Sequence, residues 1–194
     1  MGSPTSTFGL LDRIHKGDRE AFTPLFEKYQ RRLAVLIRCR MSPELRAAVE
    51  VDDVVQEVFL RAFRDLRAFE YRKPGSFMQW LASIAGHVIA DLARYQGREQ
   101  RAGETVRFRS ESNPFGPDPA DSRTPTRILR QREDLRVLAD KLSELPPDYR
   151  EVILLAKVEE LSTSEMSERL GRSREAVAVL LHRAIKRFRE IHPT

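Results

Sequence analysis

"MSERLGRSREAV", Met166–Val177, places one glycine between two stretches that both favour helix. Ser162 and Glu165 just upstream form an S-x-x-E capping box, which starts a short helix with Met166 and Leu170 facing inward one turn apart. Gly171 ends that helix, because glycine takes the left-handed backbone conformation with little steric penalty. Ser173 then caps the next helix. That second helix carries Val177, Leu181, Ala184 and Phe188 on one stripe, with Arg174, His182, Arg183, Lys186 and Arg187 mainly on the other side. The pattern is a helix-turn-helix with a basic second helix. A helical hairpin with a glycine corner and a solvated basic face reads alike, so this stretch alone leaves both readings open.

The chain has 194 residues, 41% of them hydrophobic and 32% charged, which predicts a globular protein of one domain or two small ones. No apolar run approaches the roughly 20 residues that span a bilayer, and the N-terminus lacks the apolar block of a secretory signal. Membrane insertion is therefore not expected, and a cytoplasmic location is. The single cysteine, Cys39, excludes an internal disulfide and a cysteine-based zinc site, and reads as a small buried side chain. A net charge of +5 favours a polyanionic partner. Its distribution says more than its total. Arg169, Arg172, Arg174, Arg183, Lys186, Arg187 and Arg189 crowd one stretch, and Arg94, Arg98, Arg101, Arg107 and Arg109 form a second cluster.

Apolar residues recur at helical spacing through most of the chain, which predicts an all-α protein. Composition changes sharply once, around "SESNPFGPDPADSRTPT", which is rich in proline, serine and aspartate and has little to bury. Two small helical domains, residues 1–97 and 128–194, are therefore expected on either side of a flexible linker, residues 98–127, with the helix-turn-helix in the second. In the first, helices are expected near Leu10–His15, from Arg19 to Arg40 with Phe22, Phe26, Leu33, Leu36 and Ile37 inward, and from Asp52 onward. The last places two aspartates at its positive end and buries Val54, Val55, Val58, Phe59, Ala62, Phe63 and Leu66. After the loop "EYRKPG", Ser76 and Gln79 suggest another capping box. The second domain is expected to have four helices: one from Ile128 to Leu145, one over "DYREVILLAKVE" after Pro146-Pro147, and the hairpin pair.

The order "DDVVQEVFLRAFR", loop, "SFMQWLASIAGHVIADLAR", polar linker, "LPPDYREVILL" and "LSTSEMSERLGRS" resembles the extracytoplasmic-function group of bacterial sigma factors over nearly the whole chain. The resemblance implies binding to core RNA polymerase and reading of two promoter elements, one by each domain. It assigns Asp53, Gln56, Glu57 and the adjacent Leu60 to the polymerase. A polar stripe on a stiff helix suits docking against another helix, and without the resemblance the same stripe reads as a solvated face.

For the minus-10 element it points to Tyr71, Arg72 and Lys73 in the loop, Tyr71 stacking on an unpaired base and the two cations reaching the backbone. Phe69 is a second candidate for the stacking but the better placed of the two for the core, Trp80 is assigned to packing, and Arg94 and Arg98 to phosphates. For the minus-35 element the second helix of the hairpin enters the major groove. It leads with Arg172, Ser173, Arg174 and Glu175, and His182, Arg183, Lys186 and Arg187 fall near phosphates. Charge pattern alone equally allows Arg183 and Arg187 to be solvated. Two features depart from the family: Ala178, Val179 and Leu180 occupy the middle of the reading helix, and His87 stands where asparagine is common.

The four histidines, His15, His87, His182 and His192, have neither metal-ligand spacing nor a nucleophile beside them, and the chain lacks a glycine-rich phosphate loop, so no enzyme, metal or cofactor is expected. The competing readings are a stand-alone helix-turn-helix regulator and a sigma mimic that binds an anti-sigma partner. The resemblance also leaves room for an anti-sigma factor or a regulatory kinase as a further partner.

Overall fold

The computed structural model describes residues 5–102 and 125–192, and within them every regular element is helical. Helix α1, Thr7–His15, is capped by Ser6 and tied to α2, Phe22–Arg40, by the Thr7 hydroxyl and the Tyr29 phenol at 2.8 Å. A single 3-10 turn, Arg19–Ala21, joins them. Met41, Ser42 and Pro43 do end α2, but a short helix α3, Pro43–Ala48, follows at once, with Ser42 as its cap and proline in its first turn. The sequence signal at this point reads as a break because proline stops one helix and starts the next equally well. Helix α4, Val51–Asp65, buries Val54, Val55, Val58, Phe59 and Ala62 as expected, and a 3-10 turn, Leu66–Ala68, leads into the loop.

Helix α5, Ser76–Ala102, is longer than the sequence suggested. Its start differs too. Ser76 is already helical, its hydroxyl donates to the Lys73 carbonyl at 2.7 Å, and the backbone N–H of Gln79 donates to the Gly75 carbonyl at 3.0 Å, so the expected Ser76–Gln79 capping box does not form. Gly75, at φ +88°, turns the chain into the helix instead.

Arg98–Ala102 continue α5 and Pro125–Arg127 begin α6, Pro125–Ser143, so both ends of the expected linker are helical. Residues 103–124 lie outside the described residues. Helix α7, Pro147–Ile153, runs into a π-helical turn, Leu154–Val158. The hairpin follows as α8, Thr163–Leu170, and α9, Arg174–Ile191. The two halves do not keep separate cores: α6 and the π turn pack on α2, and one hydrophobic cluster runs through residues of both. Cys39, buried on α2, donates its thiol to the Ala139 carbonyl at 3.7 Å, and burial pushes its pKa up to about 11.

Candidate nucleic-acid and partner-binding surfaces

Three surfaces carry the residues singled out from the sequence. On α4, Asp52 and Asp53 stand in the first turn, where the exposed backbone N–H groups favour negative charge. Asp53 and Gln56 are half-buried on the side away from Val54, Val55 and Val58. Glu57 is drawn into a chain of ion pairs: it accepts from Arg61 at 2.8 Å, Arg61 reaches Asp91 of α5 at 3.1 Å, and Asp91 pairs with Arg94 at 2.6 Å. The hydrogen bond from Arg61 holds the Asp91 carboxyl below its ordinary range. Leu60, expected beside the polar stripe, is only 3% exposed. Removing a leucine from water is favourable by about 1.5–3 kcal/mol, and Leu60 is covered rather than presented at the surface as a docking side chain.

A cleft of about 310 Å³ between α4 and α5 is lined by Glu57, Arg61, Asp91, Arg94, Tyr95 and Arg98. Arg94 and Arg98 therefore share a surface with Glu57. They do not gather with the loop residues, because Arg94 lies about 27 Å along α5 from Ser76. The minus-10 set drawn from the sequence is thus split between two places.

The loop is the second surface. Phe69 stacks on Trp80 at 4.7 Å and meets Phe77 edge-on at 5.3 Å, which gives Phe69 and Trp80 the packing role expected of them. Tyr71 remains half-exposed, and the ring opposite it, 5.8 Å away, is Phe8 of α1. Sequence reasoning missed Phe8. Its signal is an aromatic off the buried stripe of Thr7, Leu10 and Leu11, and it is 53% exposed. A cleft of about 440 Å³ opens between them, lined also by Leu11, His15, Phe69 and Arg72. Arg72 is exposed beside Glu70, and Lys73 is paired with Glu165 of α8.

The third surface is the hairpin, and its local design follows the sequence closely. Ser162 and Glu165 form a complete capping box, Gly171 closes α8 at φ 61°, and the Ser173 hydroxyl accepts from the Ala176 N–H. Ser173 is therefore occupied as a cap. Val177 and Ala184 are buried, and Leu181 and Phe188 pack against the core. Arg172 pairs with Asp148 of α7 at 2.6 Å, and Arg174 donates to Ser164 at 2.8 Å. The Glu175 carboxyl is held below its ordinary range by its own backbone N–H at the start of α9 and by Ser173. His182, Arg183, Lys186 and Arg187 are all exposed, the last two sharing Glu190. Between the two polar ends Ala178 and Val179 are exposed as well, Val179 by 49%. His87 is at the surface. Among the described residues there is no group of side chains that could hold a metal ion, and no helix long and apolar enough to cross a membrane.

Comparison with known proteins matches two separate stretches of the chain. Residues 25–99 match the family model of Sigma-70 region 2, and residues 135–188 that of Sigma-70 region 4. The chain is 30% identical over 168 residues to the ECF RNA polymerase sigma-E factor of Haemophilus influenzae, covering 87% of this chain and 85% of that one. It is 29% identical over 179 residues to the protein of the same name in Escherichia coli, covering 87% and 90%. Among solved structures, CnrH in complex with the cytosolic domain of CnrY is similar over 94% of both chains, with 27% identity and a TM-score of 0.52. With an aromatic loop and a basic helix-turn-helix falling inside the two matched regions, the chain belongs to the ECF group of RNA polymerase sigma factors and is an alternative sigma factor that directs transcription initiation.

Proposed function

We propose that this sigma factor docks on core RNA polymerase through the Asp53, Gln56 and Glu57 face of α4, and reads promoter DNA with two separate elements. The loop takes an unpaired base of the minus-10 element against Tyr71, with Phe8 facing it across the cleft and Arg72 and Lys73 on the backbone. Aromatic stacking is worth about 1–3 kcal/mol per base. The exposed face of α9 enters the major groove at the minus-35 element. Arg174 suits bidentate binding of guanine, Glu175 accepts from cytosine, and His182, Arg183, Lys186 and Arg187 lie along the phosphates. The Ala178–Val179 stretch answers to thymine methyl groups, which are read by apolar contact. Arg94 and Arg98, beside Glu57, belong to the polymerase side of the complex as much as to DNA.

The observation that carries this reading is the pairing of a half-exposed tyrosine in the region 2 loop with an exposed basic face on the second helix of the region 4 hairpin. The protein acts as an initiation factor and not as an enzyme, in the cytoplasm, where its polymerase and template are. The solved complex of CnrH with the cytosolic domain of CnrY supports a protein partner of the anti-sigma kind for this chain also.

The test is run-off transcription with bacterial core polymerase on genomic promoter fragments, alongside a polymerase pull-down of D53K/Q56A. That variant changes the half-buried stripe outside the Glu57–Arg61–Asp91 chain. It is expected to lose polymerase binding and all dependent transcripts while keeping the helical circular dichroism of the parent. Full binding by D53K/Q56A would remove the α4 assignment.

A further inference from the structure

Two arginines stand at the entry to α9, and the fold holds them in opposite ways. Arg172 precedes the Ser173 cap and Arg174 is the first residue of the helix, and both are exposed, so residue order offers them equally to the major groove. Their partners differ. Arg172 is fixed through backbone and side chain alike: its N–H donates to the Ser167 carbonyl at 3.1 Å, its carbonyl accepts from the Ser167 hydroxyl at 2.6 Å, and its guanidinium pairs with Asp148 of α7 at 2.6 Å. A carboxylate answers its charge, and α7, α8 and the turn are joined through it.

Arg174 instead donates to the Ser164 hydroxyl at 2.8 Å. A hydroxyl sets direction without cancelling charge. A guanidinium carries five N–H donors in one plane, and a bidentate contact to guanine uses two of them. One bond to a serine on the neighbouring helix therefore orients that plane and leaves the donors that guanine needs. Ser164 is half-buried and lies between Ser162 and Glu165, the two members of the capping box, so the backbone that carries it is fixed as well. An arginine restrained before it meets DNA loses less side-chain freedom on binding, which raises affinity at the base it reads.

We infer that Ser164, outside the reading helix, is a positioning residue for minus-35 recognition: its hydroxyl orients the Arg174 guanidinium for guanine, while Asp148 takes Arg172 out of base reading and makes it the brace of the turn. The inference rests on the assignment of Arg174 to a base. The sorting follows from the partner's charge. A neutral partner leaves the cation available to DNA, and an anionic one engages it within the hairpin.

The experiment is holoenzyme binding, with the full chain and bacterial core polymerase, to a promoter set altered one base pair at a time, and its readout is the preference at each base pair. S164A is expected to lower the preference about three- to tenfold at the base pair that R174A affects, and S164T, which keeps the hydroxyl, to retain it. S164D gives Arg174 the kind of partner that Arg172 has. Aspartate is favoured in the first turn of a helix, so α8 keeps its stability, and the preference should fall to the level of R174A. In S164A/R174A the losses should not add, because Ser164 acts through Arg174. R172A is expected to weaken binding evenly across the set, since the turn loosens, with the preference at every base pair kept.

A preference lost in R174A but kept in S164A or S164D, an even loss on all sequences in S164A, or full additivity in the double variant would each overturn the positioning role. A loss confined to one base pair in R172A would overturn the brace. An even loss in R174A itself would remove the guanine assignment and the role of Ser164 with it, and so is told apart from failure of Ser164 alone.

Discussion

Arg174 shows what a single residue owes to sequence and what it owes to its surroundings. Its position one step after a serine cap places it in the first turn of α9, which the residue order alone dictates. Its present partner, the Ser164 hydroxyl, comes from α8 and is supplied only by the hairpin fold. A hydrogen bond to a neutral hydroxyl leaves the arginine's charge unneutralised, which suits the bidentate contact to guanine proposed for it. R174A is expected to lose about 1–3 kcal/mol at one base pair of the minus-35 element. Holoenzyme binding to a promoter set altered one base pair at a time measures it, and an equal loss on every sequence would place Arg174 on a phosphate. Lys73 and Leu60 are the contrasting cases. Both are expected at a binding surface from their places in the family pattern, yet Lys73 is paired with a residue 92 positions away and Leu60 is buried. Neither partner choice nor burial of one leucine is encoded in local spacing.

Helix α8 is the element whose local chemistry is most nearly complete. Glu165 closes its capping box and meets Lys73, and the hydrogen bonds from Lys73 and Ser162 hold its carboxyl down to about 2 from an ordinary 4.5. A carboxylate with a depressed folded-state pKa stabilises the fold above its unfolded value and loses that contribution as pH falls toward the folded one. Glu165 thus contributes fully at neutral pH and progressively less between pH 4.5 and about 2. E165A is expected to lower stability by about 0.5–2 kcal/mol at pH 7 and to flatten the acid limb of the stability curve, as measured by urea denaturation at stepped pH. At the start of α5 the same S-x-x-Q spacing gives no box, because Gly75 makes the turn and Ser76 hydrogen-bonds backward to Lys73. The motif is permissive, and the backbone entering the helix decides whether it closes.

At the scale of the whole molecule, the buried Arg40–Glu159 pair is the feature with the largest energetic stake. Burial pushes the Glu159 carboxyl up even with Arg40 beside it, and its second oxygen has no hydrogen-bond partner. Stranding such a charge by removing its partner costs about 3–5 kcal/mol. In R40M the chain escapes that penalty by releasing region 4, which returns Glu159 to water. The expected result is therefore a larger radius of gyration by small-angle scattering with the helical content kept, whereas R40M/E159M, with no charge to hydrate, stays compact.

The all-helical class, the hairpin with its caps and corner, the inward stripe of α4 and the two-part organisation were all determined by the sequence itself. Each rests on interactions between residues a few positions apart, and these repeat with the helical period. Only the tertiary structure decided that Phe8 faces Tyr71, that Arg94 and Arg98 share a cleft with Glu57, and that the two halves close on one core. The last turns on α2, which is apolar on two sides. Leu33, Leu36 and Ile37 give the inward stripe, and Val35 and Cys39 add a second buried set where helical spacing alone suggested one. A helix with two buried faces needs two partners, and which distant segment supplies the second depends on shape and charge brought together only when the chain has folded.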